Sequence, residues 1–323
     1  MNNSLFLSDC TADAIRNAAS SLKAGHLVAF PTETVYGLGA DARNSQAVKR
    51  IYEVKGRPTD HPLIIHISSI NQLGKWATEI PEYAISIART FWPGPLTLIL
   101  KRSAIVENFI SGGQETVGLR VPSDSVAQAL IQEFEKISDS AIAAPSANRF
   151  GQVSPTSSSD VEEELGKFLG PRDRILAGGS SAIGIESTII DCTGKDPMIL
   201  RPGYVTKEDL YLQLGIHCLD IVSQDSIKFS GSFEKHYAPK CKVVLGNFTL
   251  NGAGFLAMKD VETPANMLRL ASPETLEDFA RILYSTFRKA DHKEIGLLVV
   301  YPPKEQGLGV AIVERLKKAS QGR

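Results

Sequence analysis

Apolar residues recur at helical spacing over 12–24 (Ala12, Ile15, Ala19, Leu22), with Thr11 placed to cap the start and Gly25 to stop the end. The next apolar run, 26–30, is short and continuous, the pattern of a buried strand. It feeds a polar, glycine-containing loop at 31–39. The same two periods then predict helices over 45–54, 81–91, 123–136 and 161–169. They predict strands over 63–67, 96–101, 116–121, 141–144, 188–191 and 198–200. Strands and helices mix without strict alternation, so the expected fold class is α/β with a twisted mixed β-sheet. Beyond residue 206 the pattern thins. A short helix over 207–214 leads into 223–239, which has little core content and reads as a linker. Strands at 242–245, 255–258 and 295–300 and helices at 273–289 and 308–319 then predict a small α/β unit. The expected organisation is a main domain over 1–206, a linker or lid over 207–240 and a small α/β domain over 241–323. No repeat with a period of 20 to 50 residues is found.

Charge narrows the classes of function. The chain has 323 residues with 35 Lys plus Arg against 36 Asp plus Glu, a net charge of -1. That balance excludes a protein that coats polyanions through bulk positive charge, and leaves room for a local basic pocket. The longest apolar runs are strand-sized, so no membrane span is expected. The first residues lack a cationic stretch followed by a long apolar one, and a cytoplasmic location is expected. Cys10, Cys192, Cys218 and Cys241 lie far apart without a Cys-x-x-Cys pair, which argues against a disulfide framework or a zinc site.

The common chemical motifs are missing. There is no Gly-x-x-x-x-Gly-Lys-Ser/Thr, no His-Glu-x-x-His and no Gly-x-Ser-x-Gly. Gly252-Ala-Gly254-Phe-Leu-Ala257 fits the loose dinucleotide pattern, but its glycines precede a predicted strand instead of opening a helix.

Three other stretches carry chemistry. Residues 31–39 put two threonine hydroxyls, a tyrosine and two glycines just after a buried strand, where ligands bind in open α/β folds. Lys55-Gly56-Arg57-Pro58 sets two cations around a glycine after a helix, a pattern that serves a solvated loop or a phosphate clamp. Pro145-Ser146-Ala147-Asn148 is a polar turn after a strand, suited to bonding nearby backbone or a ligand.

Together with Pro62-Leu63, His66, Trp92-Pro-Gly-Pro-Leu-Thr97, Gly118-Leu-Arg-Val-Pro122, Glu186-Ser-Thr-Ile-Ile-Asp191 and Leu200-Arg-Pro-Gly203, these stretches resemble the YrdC-like family of L-threonylcarbamoyladenylate synthases. His236-Tyr-Ala-Pro239 resembles the linker signature of the long, two-domain form, and residues 307–319 resemble its C-terminal domain, Rossmann-like in fold. The resemblance implies a nucleotidyltransferase that condenses L-threonine, bicarbonate or CO2, and ATP to threonylcarbamoyl-AMP and pyrophosphate. It implies a downstream transferase that carries the group to tRNA, with at most a weak tRNA contact by this chain.

By the same resemblance, Lys55, Arg57, Ser146 and Asn148 are the expected catalytic residues. Arg57, His61, Thr116, Ser146, Ser154, Arg201 and Tyr237 would line the ATP site, and Thr34, His66, Arg120, Ala144 and Ser187 the threonine site. Magnesium is expected to arrive bound to ATP, with no protein cage. His61 stands where the family usually has asparagine, and Ser230-Gly-Ser232 where the long form has Ser-Pro-Gly. Two rivals remain open at this point: an RNA-binding module without chemistry, and an adenylating enzyme for another amino acid.

Overall fold

The computed structural model describes residues 7–220, 228, 229, 231, 236–246 and 248–322; Ser230 and Ser232 lie outside them. The first helix, Ala12–Lys23, is capped by the Thr11 hydroxyl accepting from the Ala14 N–H, and it buries Ile15, Ala18, Ala19 and Leu22. The second, Ser45–Lys55, is capped by Asn44 and closed by Gly56 in the left-handed conformation (φ 60°). That closure brings Lys55 and Arg57 out of the helix end together.

Twelve strands form one mixed sheet. In chain order they are β1 Leu7–Asp9, β2 Val28–Phe30, β3 Gly37–Asp41, β4 Ile64–His66, β5 Ala77–Thr78 and β6 Leu96–Arg102. The rest are β7 Thr116–Arg120, β8 Ile142–Ala143, β9 Arg174–Ala177, β10 Thr188–Asp191, β11 Met198–Arg201 and β12 Leu219–Asp220. Across the sheet the order is β1-β9-β2-β3-β8-β4-β7-β6-β10-β11-β12, with β5 beside β6. Parallel and antiparallel pairs are mixed along this path, as for β4–β7 (parallel) and β6–β7 (antiparallel). Successive residues face opposite sides: Val28 and Phe30 join the core under helices Ala12–Lys23 and Ser125–Ile137, while Ala29 joins the core on the other side.

Two expectations are corrected. Gly37–Asp41 is a strand, not the end of a loop. A Cβ on Gly39 would lie 2.8 Å from Ile142 Cγ2 and 2.9 Å from Phe30 Cε1, so its glycine serves close packing beneath an aromatic ring. The expected linker also begins later. Helix Lys207–Leu214 buries Leu210 in the first core, and β12 pairs with β11, so residues 207–220 extend the main sheet unit.

The second sheet is wholly parallel, in the order β13-β16-β14-β15, with β13 Lys242–Leu245, β14 Gly254–Leu256, β15 Leu268–Ala271 and β16 Leu297–Val300. Helices Leu276–His292 and Leu308–Ser320 cover it. Its core does not stop at the sheet: Val35, Val153, Ile185 and Tyr237 pack into the same cluster as Phe279, Leu283, Tyr284 and Ile312. Helix Leu276–His292 comes so close to Gly184 (φ +82°) that a Cβ there would sit 2.5 Å from the Arg281 Cα.

Candidate active site

The site is built where loops leave neighbouring strands of the large sheet. Between β2 and β3, residues 31–36 are tied down by their own hydroxyls: Thr32 Oγ1 donates to the Val35 carbonyl (2.7 Å) and shares a hydrogen bond with Thr34 Oγ1 (2.9 Å). After β8, the 145–148 turn is joined to this loop through backbone. The Leu38 N–H donates to the Pro145 carbonyl and the Ala147 N–H to the Tyr36 carbonyl. β4 and β7 run parallel in a register that places His66 beside Arg120. β10 and β11 bring Ser187 and Arg201 together from the other side.

One cavity collects most of the expected residues. Its wall holds Thr34, Lys55, Arg57, His66, Arg120, Ala144, Ser146, Asn148, Ser187, Arg201 and Tyr237. His61, Thr116 and Ser154 do not reach this wall. The His61 ring lies 3.8 Å from Asp60 and its carbonyl accepts from the Tyr52 hydroxyl. Thr116 opens β7 opposite Lys101, four residues before Arg120. Ser154 stands one layer back, donating to Glu186 Oε1 at 2.6 Å.

The sequence reading assigned no role to Glu186, His236 or Phe150, which also line the cavity. Glu186 was quoted only as part of a motif. The signals were weak: Glu186 precedes Ser187, and His236 precedes Tyr237.

Lys55 and the 146–148 turn are physically joined. The Lys55 ammonium donates to the Ser146 carbonyl (2.6 Å) and to the Asn148 carbonyl. The Ser146 hydroxyl donates to Asn148 Oδ1 (2.6 Å), and the Asn148 amide donates to the Arg149 and Gln152 carbonyls at 2.8 Å. Arg57 donates to the Pro62 carbonyl at 3.0 Å. Arg120 donates to Glu33 Oε1 at 2.7 Å and keeps a buried Nε with no hydrogen-bond partner among the described residues. Arg201 donates through Nε to the Ser187 carbonyl (3.0 Å) and through a terminal nitrogen to the Ser187 hydroxyl (3.1 Å), which Thr97 also meets at 2.8 Å.

The field is positive. Among the described residues, Lys55, Arg57, Arg120 and Arg201 face one carboxylate on the wall, Glu186. Burial, then the Arg57 charge, hold the Lys55 ammonium well below its ordinary range. Burial lowers Arg57 to about 10, so it stays charged at neutral pH. His66 is pushed down to about 3 by burial and by the Arg120 charge, which makes it a neutral imidazole. Burial does the same to His236. The Tyr237 hydroxyl is raised by burial and has no hydrogen-bond partner among the described residues. Tyr237 itself sits at a positive φ of 62°, a conformation that a side chain of this size adopts only under tertiary constraint. Such a wall suits ligands that are anionic at several points, and its neutral imidazole can accept a hydrogen bond.

The comparisons with known proteins are specific. A family model described as "Telomere recombination" (Sua5/YciO/YrdC) matches residues 20–203. A second, described as "Threonylcarbamoyl-AMP synthase, C-terminal domain", matches residues 205–321. Threonylcarbamoyl-AMP synthase of Pyrococcus abyssi is 41% identical over 95% of this chain and 94% of its own length. The Bacillus subtilis protein of that name is 38% identical over 96% and 93%. Among solved structures, Pyrococcus abyssi Sua5 complexed with L-threonine superposes with a TM-score of 0.88 at 38% identity, over 98% of this chain and 97% of the other.

Proposed function

We propose a mechanism from one premise: the chain belongs to the Sua5/YciO/YrdC family of threonylcarbamoyl-AMP synthases, in its long two-domain form. It is an L-threonylcarbamoyladenylate synthase, a nucleotidyltransferase that joins L-threonine, bicarbonate or CO2, and ATP. The threonine nitrogen captures CO2 as a carbamate and loses a proton. A carbamate oxygen attacks the α-phosphorus of ATP, forming the mixed anhydride, and the bond to pyrophosphate breaks.

Each reactant is an anion, and charge grows on the α-phosphoryl oxygens and the leaving group. Fixed cations that need no reorganisation therefore lower the barrier most. Lys55 and Arg57 take that role, with Ser146 and Asn148 shaping the turn that holds Lys55. Arg201 and Tyr237 face the nucleotide. Arg120 grips the threonine carboxylate, held in place by Glu33, while Thr34, Ser187 and the Ala144 backbone fix the rest of the amino acid. Neutral His66 accepts a hydrogen bond from the amine and orients it, and the amine's proton passes to solvent. His61, Thr116 and Ser154 act on ATP only from behind this layer.

Magnesium enters on this reading as part of the ATP complex. The residues present do not fit a protein-held ion: the wall carboxylate, Glu186, is already engaged by Arg315, Tyr284 and Ser154. Among the described residues no group of three His, Cys, Asp or Glu could hold a metal. The product passes to a separate transferase that modifies tRNA, and we place the activity in the cytoplasm with any tRNA contact weak. Among the described residues no helix is long and apolar enough to cross a membrane.

The observation that carries the reading is the convergence of Lys55, Arg57, Arg120 and Arg201 on one cavity, where Glu186, the one wall carboxylate among the described residues, is neutralised from behind. The test is pyrophosphate release and threonylcarbamoyl-AMP formation by the purified chain, omitting each substrate in turn. Product that needs threonine, bicarbonate and ATP together supports the reading. Turnover with a different amino acid, or tRNA binding without turnover, overturns it.

A further inference from the structure

The second sheet's helices reach into the wall of a cavity that belongs to the first. Glu186 is the point of contact. Its Oε2 accepts from Arg315 Nε (2.9 Å) and from the Tyr284 hydroxyl (2.9 Å), while its Oε1 accepts from the Ser154 hydroxyl (2.6 Å). Arg315 is fully buried, 129 residues away in sequence, and comes from helix Leu308–Ser320; Tyr284 comes from helix Leu276–His292.

Arg315 has further partners. Its guanidinium stands over the Tyr237 ring, 5.3 Å from the centroid, and also donates to Glu314. One helical turn on, Lys318 donates to the Gly231 carbonyl. Gly231 (φ +89°) lies so close to Tyr237 that a Cβ there would be 2.6 Å from its hydroxyl oxygen. Tyr237 in turn stacks on Tyr284 at 5.7 Å. The nucleotide side of the wall is thus held by side chains of the second unit, while among the described residues Arg120 and His66 on the opposite side have no hydrogen bond from it.

Burial alone would raise the Glu186 carboxyl. The Arg315 and Arg201 charges, with the Ser154 and Arg315 hydrogen bonds, outweigh it and hold the group below its ordinary value. An ionised, fixed carboxylate beside Ser187 also steadies the local field in which Arg201 sits.

We infer that Arg315 and Glu186 form a positioning pair through which the C-terminal unit sets the nucleotide half of the cavity. The pair touches no reacting atom. It locks Ser154, Tyr237 and the Arg201 surroundings in the geometry that receives ATP. The inference rests on the threonylcarbamoyl-AMP synthase reading, in which Arg201 and Tyr237 face ATP.

Arg315→Met alone strands a buried carboxylate and can unfold the chain, so the informative variants are Tyr284→Phe and the double variant E186Q/R315M. A neutral pair buries as readily as a charged one, so the double variant melts close to the parent protein. Its affinity for a non-hydrolysable ATP analogue, read by calorimetry on the full chain, falls roughly tenfold or more, the change that one lost charge-assisted hydrogen bond gives. Threonine affinity measured without nucleotide falls less, within about threefold, because only Ser187 of the threonine site adjoins Glu186 while Arg120, His66 and Thr34 do not. Y284F removes one donor from Glu186 and lies between the parent and the double variant.

Parental nucleotide affinity in a folded double variant overturns the inference. So does a parallel loss of nucleotide and threonine affinity, which marks a purely structural role. A parent chain that binds neither ligand defeats the functional reading instead, which keeps the two failures apart.

Discussion

Lys55 serves two purposes that its sequence context shows only in part. The sequence pattern suggests a loop cation whose removal leaves folding unchanged. In the structure Lys55 ends a helix, is 3% exposed, and holds the Ser146 and Asn148 carbonyls. Lys55→Ala is therefore expected to cut product formation by roughly a hundredfold or more. It should also cost about 1–3 kcal/mol of stability, because buried carbonyls lose their donor; single-turnover kinetics and urea unfolding read the two effects.

Arg57→Ala, which removes the donor to the Pro62 carbonyl, should lose comparable activity in the same assays. His66 supplies a pH test. Its folded value near 3 lies below the ordinary 6.5, so the unfolded chain binds more protons between those limits. Stability is thus full above about 6.5 and falls as pH drops towards 3. His66→Asn should flatten that slope in melting temperatures recorded from pH 7 to pH 4.

Among the elements, what could be read locally was read well. Helix 12–23 was legible from its spacing, its Thr11 cap and Gly25, because those are properties of adjacent residues. Thr188–Asp191 and Lys242–Leu245 are centred on the β-branched pairs Ile189-Ile190 and Val243-Val244 and form strands with those bounds. β3 was missed because two glycines read as a turn, whereas Gly39 is there to clear Phe30 and Ile142 across the sheet. β9, which pairs with both β1 and β2, is too short to have a period of its own.

The docking of helix Leu276–His292 on Gly184 is equally invisible locally, since the contact spans the two sheets. Gly184→Ala would impose a positive φ on a side chain and drive its Cβ into the Arg281 backbone. We expect a loss of about 1–3 kcal/mol, read by urea unfolding, and more if the helix shifts.

At the scale of the whole molecule, the candidate cavity was legible as a set of motifs and not as a machine. Lys55, Arg57, Ser146 and Asn148 stand out in short stretches, Arg120, Ser187 and Arg201 follow only from the family resemblance, and all seven meet on one wall. Glu186 was passed over as a functional group because its partners, Arg315 and Tyr284, lie 129 and 98 residues away, a distance no local pattern carries. The shared core says the two units are not independent: Val35, Val153 and Ile185 are covered by the second sheet's helices. A chain ending at residue 220 should expose that patch, leave Glu186 without Arg315 and precipitate or lose activity. Light scattering and turnover of the truncated protein test this.

The ion pair between residues 186 and 315 also sets an order of events at the ribosome. Most of the cavity's framework has been synthesised once β11 has emerged, yet the guanidinium that neutralises its carboxylate follows that carboxylate by 129 residues. A nascent polypeptide must keep that acid hydrated over the whole interval, so the nucleotide half of the pocket closes only after helix Leu308–Ser320 has been made.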